Sequence, residues 1–151
     1  MGTTLIPPFA TAAAHRDQAM AALAQANRVR LRRAALMRWL PGQSSADSHK
    51  NAVELILEPD PTLDSMLTLE LLQRIRGVGP TQSERMLELA DVSPTRTVGN
   101  LTARQRAGLA ALLRLRADQL SRHTRRMQHD QHAANAGGIE PETATRHLEP
   151  R

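Results

Sequence analysis

Apolar residues along the chain recur at helical spacing. From Thr11 to Trp39 no glycine or proline interrupts a run rich in Ala, Arg, Leu, Gln and Met, and the run ends at Pro41-Gly42, which predicts one long helix. Its apolar stripe is thin. Ala22, Ala26, Val29, Leu36 and Leu40 share one side with Arg33 intruding, while Arg28 and Arg32, four apart, point the opposite way. A stripe made mostly of alanine buries little area, so the first half of this helix is expected to project as an arm that orders on a partner.

After the polar stretch from Pro41 to Ala46, Asp47 or Ser48 is suited to cap a second helix running to about Glu58, with Val53, Ile56 and Leu57 on its buried side. Pro59-Asp60-Pro61 stops it. Leu69 to Ile75 forms the next apolar-periodic segment, and another runs to about Ala90. Thr81 and Glu84 fit a capping box, and Pro80 equally fits the first helical position with Gly79 as cap; the sequence leaves both open. Asp91 to Leu101 is rich in turn residues, and Thr102-x-x-Gln105 is a second capping box. It opens a last helix from Ala103 to about Met127 that buries Leu109, Leu112, Leu113 and Leu120. Beyond Gln128 no apolar period remains, and the tail reads as disordered. The fold class is all-α.

Between the third and fourth helices stands Arg76-Gly77-Val78-Gly79-Pro80. Two glycines one residue apart leave a turn whose backbone N–H groups can face outward, and the following helix points its positive dipole end the same way. Such a turn suits a phosphate.

Charge strengthens that reading. The 151 residues carry 20 Lys and Arg against 15 Asp and Glu, a net charge of +5 with a pI near 11.3, which favours an anionic partner. The excess is unevenly placed. Six arginines oppose only Asp17 up to Leu40, whereas Lys50 alone opposes five acids between Pro41 and Leu67. From Thr68 to Ala117 eight arginines oppose four acids, and the remainder balances. Two basic blocks divided by an acidic one indicate two anion-facing surfaces. Phe9 and Trp39 are the only aromatic residues, and single-strand binders usually stack bases on several rings, so duplex is favoured.

Other chemistries find little support. Without cysteine there is no disulfide framework and no thiolate chemistry, and a reducing cytoplasm is the simplest compartment. Met1 to Ala14 lacks a positive n-region and Pro7-Pro8 breaks its apolar stretch, so it does not read as a signal peptide. No segment has the length and apolarity of a membrane span. His123, His129 and His132 lack a carboxylate or thiolate to complete a metal site, so no metal is expected. There is no nucleophile elbow, no Gly-x-x-x-x-Gly-Lys loop and no coherent acid pair, and the sequence predicts neither an enzyme nor a cofactor.

Leu69-Glu-Leu-Leu-Gln-Arg-Ile-Arg-Gly-Val-Gly-Pro-Thr-Gln-Ser-Glu-Arg-Met-Leu-Glu-Leu, then Val92-Ser-Pro-Thr-Arg96, then Leu101-Thr-Ala-Arg-Gln-Arg-Ala-Gly-Leu, resembles in order and spacing the helix-two-turns-helix region shared by ribosomal protein S13 and the actinobacterial integration host factor. The arm, with Arg28, Arg30, Arg32 and Arg33 ahead of a Pro-Gly break and a short helix, is similar to the latter family. The resemblance covers about Pro7 to Leu115. It implies a nucleoid-associated, cytoplasmic protein that binds duplex DNA with weak sequence preference, bends or compacts it, and works with integrase or phage recombination machinery. On that basis Gly77, Val78 and Gly79 offer amides to phosphates along a minor groove and Arg96 reaches a neighbouring phosphate. The arm arginines hold a second stretch of DNA. Thr81, Arg85 and Arg104 join the candidate contacts, although Arg85, Arg104 and Arg106 read equally as solvated helix faces paired with Glu84 or Glu88.

The chain is thereby divided into a basic helical arm (1–40), an acidic connector with one short helix (41–67), a helix-two-turns-helix DNA-binding domain (68–127) and a disordered tail (128–151), and it reads as a monomer. It departs from the family where basic residues follow the glycine turn, having Pro80, Gln82 and Glu84 there, and again at Thr97 and Gly99. Fewer phosphate contacts imply weaker binding and a shallower salt dependence. Two rival readings are an S13-like binder of structured RNA and a protein-interaction module in which the glycine turn is merely structural.

Overall fold

The computed structural model describes residues 8–136. Residues 1–7, the first half of the stretch that does not read as a signal peptide, and residues 137–151 of the expected tail lie outside the described residues. Five α-helices form the protein: α1 (Pro8–Gly42), α2 (Ser45–Leu57), α3 (Thr68–Gln73), α4 (Pro80–Leu89) and α5 (Ala103–Ala136). Single 3₁₀ turns stand at Pro61–Leu63 and Val98–Asn100, and there is no β-strand among the described residues. The fold is all-α, as the periodicity predicts.

The packed unit centres on α2 lying along α5. Ser48, His49, Ala52, Val53 and Ile56 are the buried face of α2, and Leu109, Ala110, Leu113 and Ala117 are that of α5. Alanine on both sides lets the helices approach closely. Leu57, expected inside, is 38% exposed, because the 3.6-residue period carries it onto the outer edge once Val53 and Ile56 face the core. The cap also differs from expectation. Ser44, not Asp47 or Ser48, caps α2, its Oγ accepting from the Asp47 N–H at 3.2 Å. A helix that begins earlier places Ser48 inside its buried face.

The 41–67 stretch contributes Leu63 and Met66 to the same core through the Pro61 turn. The turn-rich connection of residues 91–101 is laid against it: Val98 N–H donates to Met66 O at 2.8 Å, Thr68 N–H to Arg96 O at 2.9 Å and Gly99 N–H to Asp64 O at 3.0 Å. At Thr102 and Gln105 the expected capping box is present, with reciprocal bonds of 3.1 and 3.2 Å opening α5. Arg106 then ties three elements, donating to Ile56 O at 2.6 Å and Val98 O at 2.8 Å.

Both long helices outrun the core. α1 touches it only from Val29 to Leu40, and Thr11 to Arg28 are exposed, so roughly 30 Å of helix projects. α5 continues to Ala136, nine residues past the Met127 end that its apolar period predicts. Loss of period ends burial there but not the helix, because no Gly or Pro interrupts the chain before Gly137.

Candidate nucleic-acid interface

The glycine turn is fixed from below and open above. After α3, Ile75 N–H donates to Leu72 O and Val78 N–H to Ile75 O, each at 3.0 to 3.1 Å, which winds the chain tightly toward the core. Val78 is 6% exposed and acts as the anchor. Its amide, expected as a phosphate donor, is therefore already used. Gly77 adopts φ +83°, a conformation that only glycine takes without strain, and reverses the chain. Gly79, with φ −86° and ψ 174°, caps α4, Pro80 takes the first helical position, and Ser83 donates to Gly79 O through both its N–H (2.9 Å) and its Oγ (2.6 Å). This decides between the two caps left open in the sequence. Thr81 does not cap.

Above this base the N–H groups of Gly77, Gly79, Thr81 and Gln82 have no partner among the described residues. A Cβ built on Gly77 or Gly79 would meet nothing within 4 Å. Four unpaired donors at the positive end of a ten-residue helix, with open space at Gly77 and Gly79 where side chains would stand, form a seat suited to an anionic oxygen.

The turn is also tied to α2. Arg76 N–H donates to the buried Ser48 Oγ at 3.0 Å, and the Arg76 guanidinium donates to Gln43 O at 3.1 Å. Neither bond is legible in the sequence, where Ser48 reads as a cap candidate and Arg76 as the first residue of the turn. The available signal was a serine in the otherwise apolar stripe of α2, where a hydroxyl requires a partner.

Arg74, Arg85, Arg96 and Arg104 are exposed and have no intramolecular partner among the described residues, but Arg104 stands at the far end of α4 from the turn, where its neighbour Gln105 donates through Nε2 to Asp91 O at 2.6 Å. Arg74, at the end of α3, was not singled out in the sequence. Arg96 is positioned by its own carbonyl, which accepts from the Thr68 N–H and Oγ at the start of α3, roughly 10 Å from the turn. Neither Arg85 nor Arg104 pairs with Glu84 or Glu88. Arg106, by contrast, is a structural clamp.

The arm arginines divide into two pairs. Arg32 bonds Asp60 Oδ2 at 2.7 Å, although its sequence position pointed away from the apolar stripe; the Pro59–Pro61 turn comes around α1 to meet it. Arg33 donates to Thr62 O at 2.8 and 3.0 Å and to Ser65 Oγ at 2.7 Å. These two lock α1 to the core. The Asp60 carboxyl is held below the usual carboxylate range by the Thr62 N–H and hydroxyl, with Arg32 adding to the effect. Among the described residues Arg28 bonds Gln25, one turn back on the projecting part of α1, and Arg30 is exposed where α1 first meets the core. Of the four, Arg28 and Arg30 have no hydrogen-bond partner outside α1 among the described residues.

No helix among the described residues is long and apolar enough to cross a membrane, and no group of three or more His, Cys, Asp or Glu stands together there. No family model matches the sequence, and no curated protein does. Among solved structures the chain is similar to one described as "Structure of sIHF bound to an 8bp palindromic DNA", with 25% identity, a TM-score of 0.44, and coverage of 59% of this chain and 97% of that one.

Proposed function

We propose that the protein binds duplex DNA through its phosphates with little base selectivity and bends or compacts it. One observation carries this reading: the unpaired amides of Gly77, Gly79, Thr81 and Gln82 stand uncovered at the N-terminus of α4. A phosphate oxygen satisfies such donors without reading a base edge. Arg74, Arg85 and Arg96, free of internal partners among the described residues, supply positive charge on the elements next to the turn, and Arg104 adds a cation beyond the far end of α4. Arg28 and Arg30 on the arm supply a second contact surface, which lets a small protein deform a duplex.

The test is the salt dependence of duplex affinity. With about four to six phosphate contacts, log affinity falls against log salt with a slope near −4 to −5, and duplexes of unrelated sequence bind alike. A flat slope overturns the reading. Competition between a DNA duplex and a folded RNA hairpin assigns the nucleic acid, and energy transfer between dyes at the duplex ends reports bending.

A further inference from the structure

Two apolar surfaces of opposite charge are uncovered among the described residues, and the first reaches along α4 to Gln82, at the edge of the glycine turn. The first is a groove of about 210 Å³ between α4 and α5. Met86 and Leu112 form its floor, Leu89 and Leu115 its walls, and Arg85 and Arg116 its rim, with no acid among its lining residues. Leu89 and Leu115 are 63% and 58% exposed. The helices meet beside it, where a Cβ on Gly108 would lie 3.5 Å from Ala90 Cβ, and the cleft opens along the helices from that contact. A leucine pair flanked by guanidiniums is costly to leave in water, and solvated phosphates give it no apolar cover.

The second surface is the side of α2 turned away from α5. A hollow of about 540 Å³ there is lined by Glu54, Leu55, Leu57, Glu58 and Asp60, with no base among them. Asp60 is already paired with Arg32. Glu54 and Glu58 make no ion pair among the described residues, and they stand one helical turn apart.

We infer that the protein associates with further copies of itself, head to tail, the α4–α5 groove of one copy taking the acidic leucine face of α2 of the next. Charge selects this occupant. Arg85 and Arg116 offer two unpaired cations, and Glu54 and Glu58 two unpaired carboxylates, with leucines between them on both sides. A symmetric dimer through either surface alone sets like charges against each other, which is unfavourable in both cases. Because the two surfaces share no residue, each copy keeps one free end, and association extends into chains instead of closing at two. This departs from the monomer expected from the sequence. It does not rest on the nucleic-acid reading, and it is tested without DNA.

Sedimentation of the full chain at low ionic strength shows a weight-average mass that climbs with concentration. Association weakens by about tenfold or more when salt is raised severalfold, because rim charges steer the contact. Arg85→Glu with Arg116→Glu leaves a monomer, and so does Glu54→Arg with Glu58→Arg. Mixed in equal amounts, these two variants regain association, since each presents to the other the charge that its own second surface repels. A chain carrying all four changes associates like the wild type, and melting curves verify that each variant folds. A wild-type chain that stays monomeric at every concentration overturns the proposal and leaves the groove to an acidic partner protein. A mixture of the variants that remains monomeric overturns it as well.

Discussion

The Ser48 hydroxyl accepts the Arg76 N–H at 3.0 Å and donates to Leu40 O at 2.9 Å, so one fully buried oxygen joins α2, the end of α1 and the entry to the glycine turn. Arg76 is the residue immediately before Gly77. Its amide direction, and with it the direction in which the next amides face, is set from inside the protein. The geometry of the anion seat is thus a property of core packing, not of a free loop.

Ser48→Ala removes both bonds, leaving the half-buried Arg76 N–H without a partner and the Leu40 carbonyl with only the long 3.4 Å bond from the Gln43 N–H, at a cost of about 1–3 kcal/mol. Chemical denaturation measures the loss. Duplex affinity falls with it even under conditions where the variant remains folded, because the turn loses its tether. An unchanged affinity in a folded Ser48→Ala protein separates the turn from binding.

Gly77 and Gly79 read alike in the sequence and differ in the structure. Gly77, at φ +83°, makes Gly77→Ala a backbone defect of about 1–2 kcal/mol. Gly79 has an ordinary φ and open space above it, and it is the N-cap of α4. Gly79→Asp therefore gives the helix a preferred cap and holds or raises folding stability by about a few tenths of a kcal/mol, read as an equal or higher melting temperature. The same carboxylate occupies the anion seat and repels phosphate, so duplex affinity drops by about tenfold or more, ~1.4 kcal/mol. A variant that melts higher and binds DNA as before ends the nucleic-acid reading.

Periodicity and punctuation made the helices legible: the uninterrupted run of α1, the Thr102–Gln105 box of α5, and the Gly-x-Gly turn between α3 and α4 all stand where local rules place them. What the sequence hid are contacts made across the fold. Arg32, Arg33 and Arg106 look like surface charge, yet their partners are Asp60, Thr62 O and Ile56 O, residues 28, 29 and 50 positions away. No local pattern encodes such distances. Val78 shows the same limit from the other side, since a valine between two glycines reveals neither its burial nor the use of its amide.

The arm arginines therefore respond to mutation as two pairs. Arg33→Ala leaves Thr62 O without its partner in a half-buried site and costs about 1–2 kcal/mol. Arg32→Ala, removing a pair whose arginine is 68% exposed, costs at most about 1 kcal/mol. Arg28→Ala and Arg30→Ala leave the melting temperature unchanged while weakening duplex binding and lowering the salt slope by about one each. Melting and binding measured on the four single variants resolve the two classes.

Gly99 is held against the backbone of Asp64, where an added Cβ would lie 2.9 Å from the Asp64 carbonyl oxygen. Backbone cannot yield as a flexible side chain does. Gly99→Ala pushes the 91–101 connection off residues 64–68, weakens the Gly99 N–H to Asp64 O bond, and costs about 1–3 kcal/mol in thermal or denaturant unfolding.

His49 sets the protein's response to mild acid. It lies buried in the α2–α5 contact, Nδ1 bonded to Ser45 O at 2.7 Å and Nε2 without a partner. Burial pushes its pKa below 6.5; the Ser45 carbonyl opposes that shift, and the nearby Arg116 charge reinforces it. The folded protein thus holds His49 neutral while the unfolded chain takes up a proton from about pH 6.5 downward. Stability is full above that value and is lost as pH falls toward the folded pKa. Asp60, whose carboxyl is held low, adds its own loss only below the ordinary value of 3.8, so the interval from about pH 7 to about pH 5 isolates the histidine. Melting temperatures across that interval decline for the wild type and flatten for His49→Leu, which fills the site without a titrating group. A wild-type protein with a level profile there removes His49 as the acid-sensitive point of the α2–α5 contact.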